Sequence, residues 1–164
     1  MAVALAAHAP YSPRGRELAA TLREHTERAR RRYRGFSRFS LVHNDIHLAN
    51  LRLHRGRIAL IDWEHTTIAD PAADVAILFW FSAVMGSVPE PLAPELRALF
   101  IGEYERQTGD SDIQERVAVH EPVALLLQFL ASDAQLAHIA PHLRADELSA
   151  QTRRAERYLR ALGI

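Results

Sequence analysis

His43-Asn44-Asp45-Ile46-His47-Leu48-Ala49-Asn50 runs into Leu51-Arg52-Leu53, the turn-length link His54-Arg55-Gly56-Arg57, and Ile58-Ala59-Leu60-Ile61-Asp62-Trp63-Glu64. Ser40-Leu41-Val42, just ahead of it, is a short β-prone run. Leu51 to Leu53 and Ile58 to Ile61 are two more, and the glycine-bearing link between them predicts an antiparallel hairpin. A tight hairpin brings its open ends together. Asn50 leads into the first strand and Asp62 leaves the second, so both should face one site, with Asp45 close by in the preceding loop. Two oxygen donors and one further carboxylate suit a magnesium ion and a proton acceptor. Magnesium prefers hard oxygen ligands, takes one or two from protein, and fills its shell with water and phosphate. Phosphoryl transfer asks little more of this side of a site: a carboxylate to orient and accept the proton of the attacking hydroxyl, and metal to neutralise the phosphates.

Outward from this stretch the pattern is helical. Leu18, Leu22, Ala29 and Tyr33 recur every three to four residues and predict a helix over 15–34, stopped by Gly35. Its last turn gathers Arg30, Arg31, Arg32 and Arg34, where cations suit the helix dipole, and with zero net charge this reads as a solvated helix end rather than an anion patch. Beyond Ile61 the chain reads as helical to its end. Asp70-Pro71 predicts a helix start, an acidic N-cap followed by proline at the first helical position. The helix it opens, about 71–85, is apolar nearly all round, which predicts burial in the middle of the domain, and Gly86 closes it. After the prolines at 89, 91 and 94, a helix carries Leu96, Leu99, Phe100 and Tyr104 on one face and ends at Gly109. Ser111 and Gln114 have capping-box spacing and open a long helical stretch, interrupted at Pro122, with 125–130 as core. A final helix, about 146–161, has a thin stripe at Leu148, Ala155 and Leu159. No repeat, low-complexity linker or boundary divides the chain. The expectation is a single domain over 1–164 of the α+β class, mainly α-helical, with one small hairpin embedded in it.

Composition excludes several classes. The 164 residues are 48% hydrophobic and 24% charged, as in ordinary globular proteins. Acidic and basic residues balance at 20 each, so no overall field draws the chain to nucleic acid or membrane. There is no cysteine, hence no disulfide, thiolate metal site or cysteine nucleophile. No apolar run is long enough to span a bilayer and no secretory leader is present, so the expected location is the cytoplasm.

The motifs resemble the catalytic loop of the aminoglycoside phosphotransferase and choline, ethanolamine and thiamine kinase-like superfamily, related to the protein kinases. His43-Asn44-Asp45 with Asn50 five residues later is similar to H-x-D-x-x-x-x-N, and Ile61-Asp62-Trp63-Glu64 is similar to the family's metal-binding segment. Asp70-Pro71 and Asp74 resemble its D-P-x-x-D. The resemblance runs from about residue 40 to 80. It implies the C-terminal, catalytic lobe of a protein-kinase-like fold. It also implies Asp45 as catalytic base, Asn50 and Asp62 as magnesium and nucleotide-side ligands, and His43 and Asp74 as supports of the loop. The implied reaction moves the γ-phosphate of ATP to a hydroxyl of a small molecule, with Mg²⁺ as cofactor and a choline-, ethanolamine-, thiamine- or aminoglycoside-like acceptor.

The family's nucleotide-gripping parts are not in this sequence. No two glycines stand two residues apart, so there is no G-x-G loop, and all 20 basic residues are arginine, so there is no phosphate-contacting lysine. Three readings follow. The chain is a phosphotransferase whose N-terminal lobe is supplied elsewhere, a kinase-like binding or scaffold protein without turnover, or a metallohydrolase in which His47 and His65 join Asp45 and Asp62. Trp63, Phe79, Trp80 and Phe81 read as core. Loss of a covering lobe should leave apolar surface at Leu5, Tyr11, Leu51 and Leu53, and favour self-association or capture of a separate lobe.

Overall fold

The computed structural model describes residues 13–33, 36–138 and 145–163. Among the described residues five helices carry the mass: α1 (Pro13–Arg32), α2 (Ala72–Met85), α3 (Ala93–Thr108), α4 (Ile113–His138) and α5 (Ala145–Ala161). Four short strands lie between α1 and α2: β1 (Ser40–Val42), β2 (Leu51–His54), β3 (Arg57–Leu60) and β4 (Thr67–Ala69). The chain is therefore mainly helical with a little antiparallel sheet, and α2 is the hub. Its Trp80 and Val84 pack with Ala19 and Leu22 of α1, Leu125 and Leu126 of α4, and Ala155 and Leu159 of α5. Its Ala72, Val75 and Ala76 pack with Ile101 of α3 and with Ile113 and Val117 of α4. A helix serving two clusters needs apolar residues around most of its circumference, which is what its sequence supplies. Gly86, at φ 70°, ends it in the left-handed conformation, and Arg154 donates to the Val84 carbonyl across the same end.

The hairpin forms with Leu51 opposite Leu60 and Leu53 opposite Ile58. Its turn is tighter than the four-residue link expected. His54 and Arg57 pair, leaving Arg55 (φ 48°) and Gly56 (φ 72°) as a two-residue loop with both φ positive, the turn whose twist matches a hairpin. Ile61 lies just outside the strand.

Three expectations are overturned. The chain after Ile61 is not helical throughout. Thr67–Ala69 forms β4 and pairs antiparallel with β1, so there are two two-stranded sheets rather than one hairpin. Three-residue strands whose partners lie far apart in sequence leave no alternation to read. The capping box at Ser111 does not form. The helix starts at Ile113, because the preceding turn is fixed by Asp110, whose carbonyl accepts the Ile113 N–H (3.3 Å) and whose carboxylate is held by Arg116. Pro122 does not interrupt α4. The helix runs through it, and the carbonyl that loses its partner belongs to exposed Ala118, on the solvent side of the helix. The face of α3 that carries Leu96, Leu99 and Phe100 forms as expected and is only partly covered, since all three are exposed.

One buried ionic cluster ties the helices together. Asp70 accepts the Ala72 N–H (3.0 Å) and so acts at the start of α2, as its sequence position suggests. It also receives Arg116 Nε (3.1 Å), Tyr33 Oη (2.6 Å) and His120 Nε2 (3.2 Å). Arg116 continues to Asp110, which Arg38 meets from the other side at 2.8 Å. Burial works against the charged form of Asp70. Hydrogen bonds from His120, Tyr33 and the Ala72 N–H, with the Arg116 charge, outweigh it and hold the carboxyl at about 2. A carboxyl depressed on folding stabilises the fold above its unfolded pKa and loses that contribution as pH falls through its folded one. The expected result is a loss of about 2 kcal/mol between about pH 4 and pH 2 from this group. Urea midpoints across that range check it, and Asp70→Asn should flatten the curve. An unchanged pH slope in Asp70→Asn would assign the acid sensitivity to other carboxylates.

Candidate active site

The loop between β1 and β2 is built from the backbone outward. Val42 and His43 are buried, so the chain enters the loop from the core. Asp74, in the first turn of α2, accepts the His43 N–H at Oδ2 (2.7 Å) and the Asn44 N–H at Oδ1 (2.8 Å). One carboxylate therefore fixes two successive peptide groups from a rigid helix. Asn44 has φ 62°, a left-handed conformation that asparagine tolerates better than most residues, and its side-chain amide donates to the His65 carbonyl (2.9 Å). His43 donates from Nε2 to the Ile61 carbonyl (2.9 Å), while its Nδ1 accepts the Asp45 N–H (3.3 Å). That pair of bonds selects the Nε2–H tautomer and joins the loop to the far end of β3. His43 is thus a packed, hydrogen-bonded residue, with the edge of Trp63 against its ring at 4.8 Å.

Asn50 ends a 3-10 turn over Leu48–Asn50 and is buried. Its amide nitrogen donates to the Asp45 carbonyl (3.0 Å) and to Asp45 Oδ2 (3.1 Å). Its own carbonyl accepts the Ile61 N–H (2.9 Å). Asn50 therefore lies between the loop aspartate and the strand end that carries Asp62. With the nitrogen committed to Asp45, the amide oxygen is the atom left to face a cation. Asp62, also left-handed at φ 66°, is exposed and makes no hydrogen bond or ion pair among the described residues. Among those residues no group of three His, Cys, Asp or Glu side chains is placed to share a metal. An amide oxygen plus one carboxylate is a donor set that fits Mg²⁺, which needs only one or two hard oxygens from protein, and does not fit zinc or iron.

The histidines separate. The His47 ring stacks on Phe81 of α2 (4.6 Å), with Nε2 3.5 Å from Asp45 Oδ2 and a buried Nδ1 without a hydrogen-bond partner. His65 faces Glu64 (3.4 Å) on the surface. The hydrolase set of His47, His65, Asp45 and Asp62 is therefore not assembled. Of the four aromatics expected in the core, Trp80 is buried and Phe79 and Phe81 partly so, but Trp63 is half exposed and donates from Nε1 to the Leu60 carbonyl (2.8 Å).

A cleft adjoins the 3-10 turn, bordered by α2, α3 and α5, with Glu121 of α4 buried behind it. The one signal was a lone glutamate at the head of the apolar run Pro122-Val123-Ala124-Leu125-Leu126-Leu127.

Residues 3–109 match the family model described as the phosphotransferase enzyme family. Nothing matches among curated proteins. Among solved structures the chain is similar to an amicoumacin kinase, hAmiN, solved in complex with AMP-PNP, Ca²⁺ and Ami, with a TM-score of 0.63 and 18% identity. The match covers 93% of this chain and 47% of that one, so the chain spans about half the length of that kinase. The likeness shows the fold: a partial lobe of the kinase-like architecture.

Proposed function

The chain belongs to the phosphotransferase enzyme family, and from that premise we propose that Asp45, Asn50 and Asp62 form the acceptor-side and metal-side half of a site that transfers the γ-phosphate of ATP to a hydroxyl of a small molecule. The observation that carries this is the double engagement of Asn50, whose side chain holds Asp45 while its carbonyl holds Ile61 beside Asp62. Asp45 is oriented by Asn50 from one side and lies near His47 on the other, with its carboxylate partly exposed to an incoming hydroxyl. It accepts the hydroxyl proton as the acceptor oxygen bonds to the γ-phosphorus and the bond to the ADP oxygen breaks. The Asn50 amide oxygen and the Asp62 carboxylate would hold Mg²⁺, which supplies neutralisation of the phosphate charge. His43 and Asp74 support the loop and touch no reacting atom. Choline-, ethanolamine-, thiamine- and aminoglycoside-like alcohols are the acceptor classes in view, and the cytoplasm is the expected setting.

Two protein oxygens are too few to hold a magnesium nucleotide firmly without a phosphate-gripping loop. We therefore place the missing grip in a lobe bearing a G-x-G loop and a strand lysine, whether in a longer form of this polypeptide or in a separate chain. Its docking face is the exposed sheet side. The cross-strand pair Leu53 and Ile58 is 76% and 71% exposed, and the pair Leu41 and Ile68 is 59% and 66% exposed. Leu51 is half-buried, and Leu5 and Tyr11 lie outside the described residues. Apolar pairs side by side in water tend to find partners. The 164-residue chain should self-associate at micromolar concentration and bind Mg-ATP feebly. Adding a compatible lobe should disperse the aggregate, restore Mg-ATP binding and start transfer from labelled ATP. Light scattering and calorimetry read the first two. A monodisperse chain with micromolar Mg-ATP affinity and no gain from the lobe would instead favour a free-standing scaffold.

A further inference from the structure

The cleft bordered by α2, α3 and α5 has a volume of about 450 Å³, inside the range of small-molecule sites. Leu78 and Phe79 of α2, Leu96 and Phe100 of α3, and Leu162 just past α5 supply carbon walls. Leu48 closes the cleft on the side of the 3-10 turn, three residues on from Asp45. Among the described residues no aspartate or glutamate lines it. The polar side chains that do are Ser82, Arg97 and Tyr158, and two of these are already engaged. Arg97 pairs with Glu121 and lies over the Phe79 ring at 4.7 Å, and the Tyr158 hydroxyl donates to Glu121 Oε1 at 2.6 Å. Burial and the neighbouring Glu121 carboxylate push the Tyr158 phenol up, so it stays a donor. Glu121 itself is fully buried, and its Oε2 has no hydrogen-bond partner among the described residues.

We propose that this cleft holds the acceptor and selects an apolar alcohol, an aryl- or alkyl-bearing molecule with at most one basic or donor group, against polycationic acceptors. The proposal rests on Asp45 being the group that takes the hydroxyl proton, because Leu48 makes the loop that carries Asp45 part of the cleft wall. Each ammonium brought against carbon walls is costly unless a carboxylate meets it. The one carboxylate behind its wall, Glu121, is fully buried and already shared between Arg97 and Tyr158, so its Oε2 is the single acceptor left for a donor that displaces them. A polycation would also meet the Arg97 charge. An apolar body, by contrast, gains from every wall it touches and gives up no hydration of charge.

Phenylbutanol is the neutral probe and spermine the polycation, each titrated without nucleotide into the full chain carrying methyl-labelled leucine. Phenylbutanol should shift the Leu48, Leu78 and Leu96 methyls saturably, and spermine should leave them in place. Leu96→Asp, on an exposed position that keeps the fold, should weaken phenylbutanol about tenfold or more. Ala83→Trp, which fills the cleft, should abolish the shifts. Unmoved methyls with phenylbutanol, equal shifts with spermine, or an unweakened Leu96→Asp each overturn the proposal. Asp45→Asn separates it from the reading beneath it. If that variant, assembled with a compatible lobe, keeps transfer activity while the methyls still respond, Asp45 loses the role of base and the cleft stands. If transfer depends on Asp45 and the methyls never move, only the cleft falls.

Discussion

Asp45→Asn should lower turnover by about 10²–10⁴-fold in any assembly that transfers phosphate, the range expected when a positioned base is lost. The substitution is nearly isosteric. The hydrogen bond that Asn50 gives to the Asp45 carbonyl is untouched, because it ends on the backbone. Only the carboxylate oxygen that Asn50 and His47 face changes character. Folding and Mg-ATP affinity should therefore be preserved while kcat falls, and that separation marks a group acting in the transition state rather than in binding. Asp62→Ala should behave differently and remove the response to Mg²⁺ together with activity. Steady-state kinetics across a magnesium titration resolve the two patterns. A rate for Asp45→Asn within about threefold of the parent would remove Asp45 from the role of base.

Arg116→Met should cost about 3–5 kcal/mol of stability, the usual effect of taking one partner from a buried ionic cluster. Arg116 is buried between Asp70 and Asp110, themselves buried, and it supplies bonds to both. Without it two carboxylates are left away from water, with Tyr33, His120, Arg38 and the Ala72 N–H as remaining donors. For a chain of this length the loss corresponds to a fall in Tm on the order of 10 °C. The deficit should shrink as pH drops below about 4, because protonated carboxyls no longer repel. Thermal unfolding at neutral pH and at about pH 3.5 tests both parts. A pH-independent deficit would mean that the lost stacking of the guanidinium over Phe36, not its ion pairs, carries the effect.

The loop, the hairpin and the start of α2 were legible because their signals are local. Gly56 marks the turn, Asp70-Pro71 marks the helix start, and the spacing of Asp45, Asn50 and Asp62 follows from a hairpin whose ends must meet. What escaped reading depends on partners far along the chain. β4 exists only because Leu41 has Ile68 opposite it, and neither three-residue run proclaims the other. Asp70 reads as a cap, and it is one, but its bonds to Tyr33, Arg116 and His120 span 37, 46 and 50 residues. Pro122 looks like a helix breaker, and only the exposure of Ala118 shows why the helix survives it. The apolar side of α3 reads as one face, and its spacing does not say that Leu96 and Phe100 border a cleft. An apolar face predicts contact with something, and periodicity alone does not say whether that something belongs to the chain.

The left-handed backbone at Asp62 narrows the spelling of the site. Among side chains that carry a carboxylate, aspartate tolerates φ near 60°, while glutamate has no short polar group with which to steady that conformation and meets a steric cost of roughly 1–2 kcal/mol. Glycine accepts the backbone but brings no ligand, and asparagine accepts it but brings no charge. Under the proposed metal role, geometry and chemistry are written in a single letter, and this position has no neutral neighbour in sequence space. Drift that abandoned the metal would be free to settle on glycine or asparagine here, and aspartate is the one residue that meets both demands.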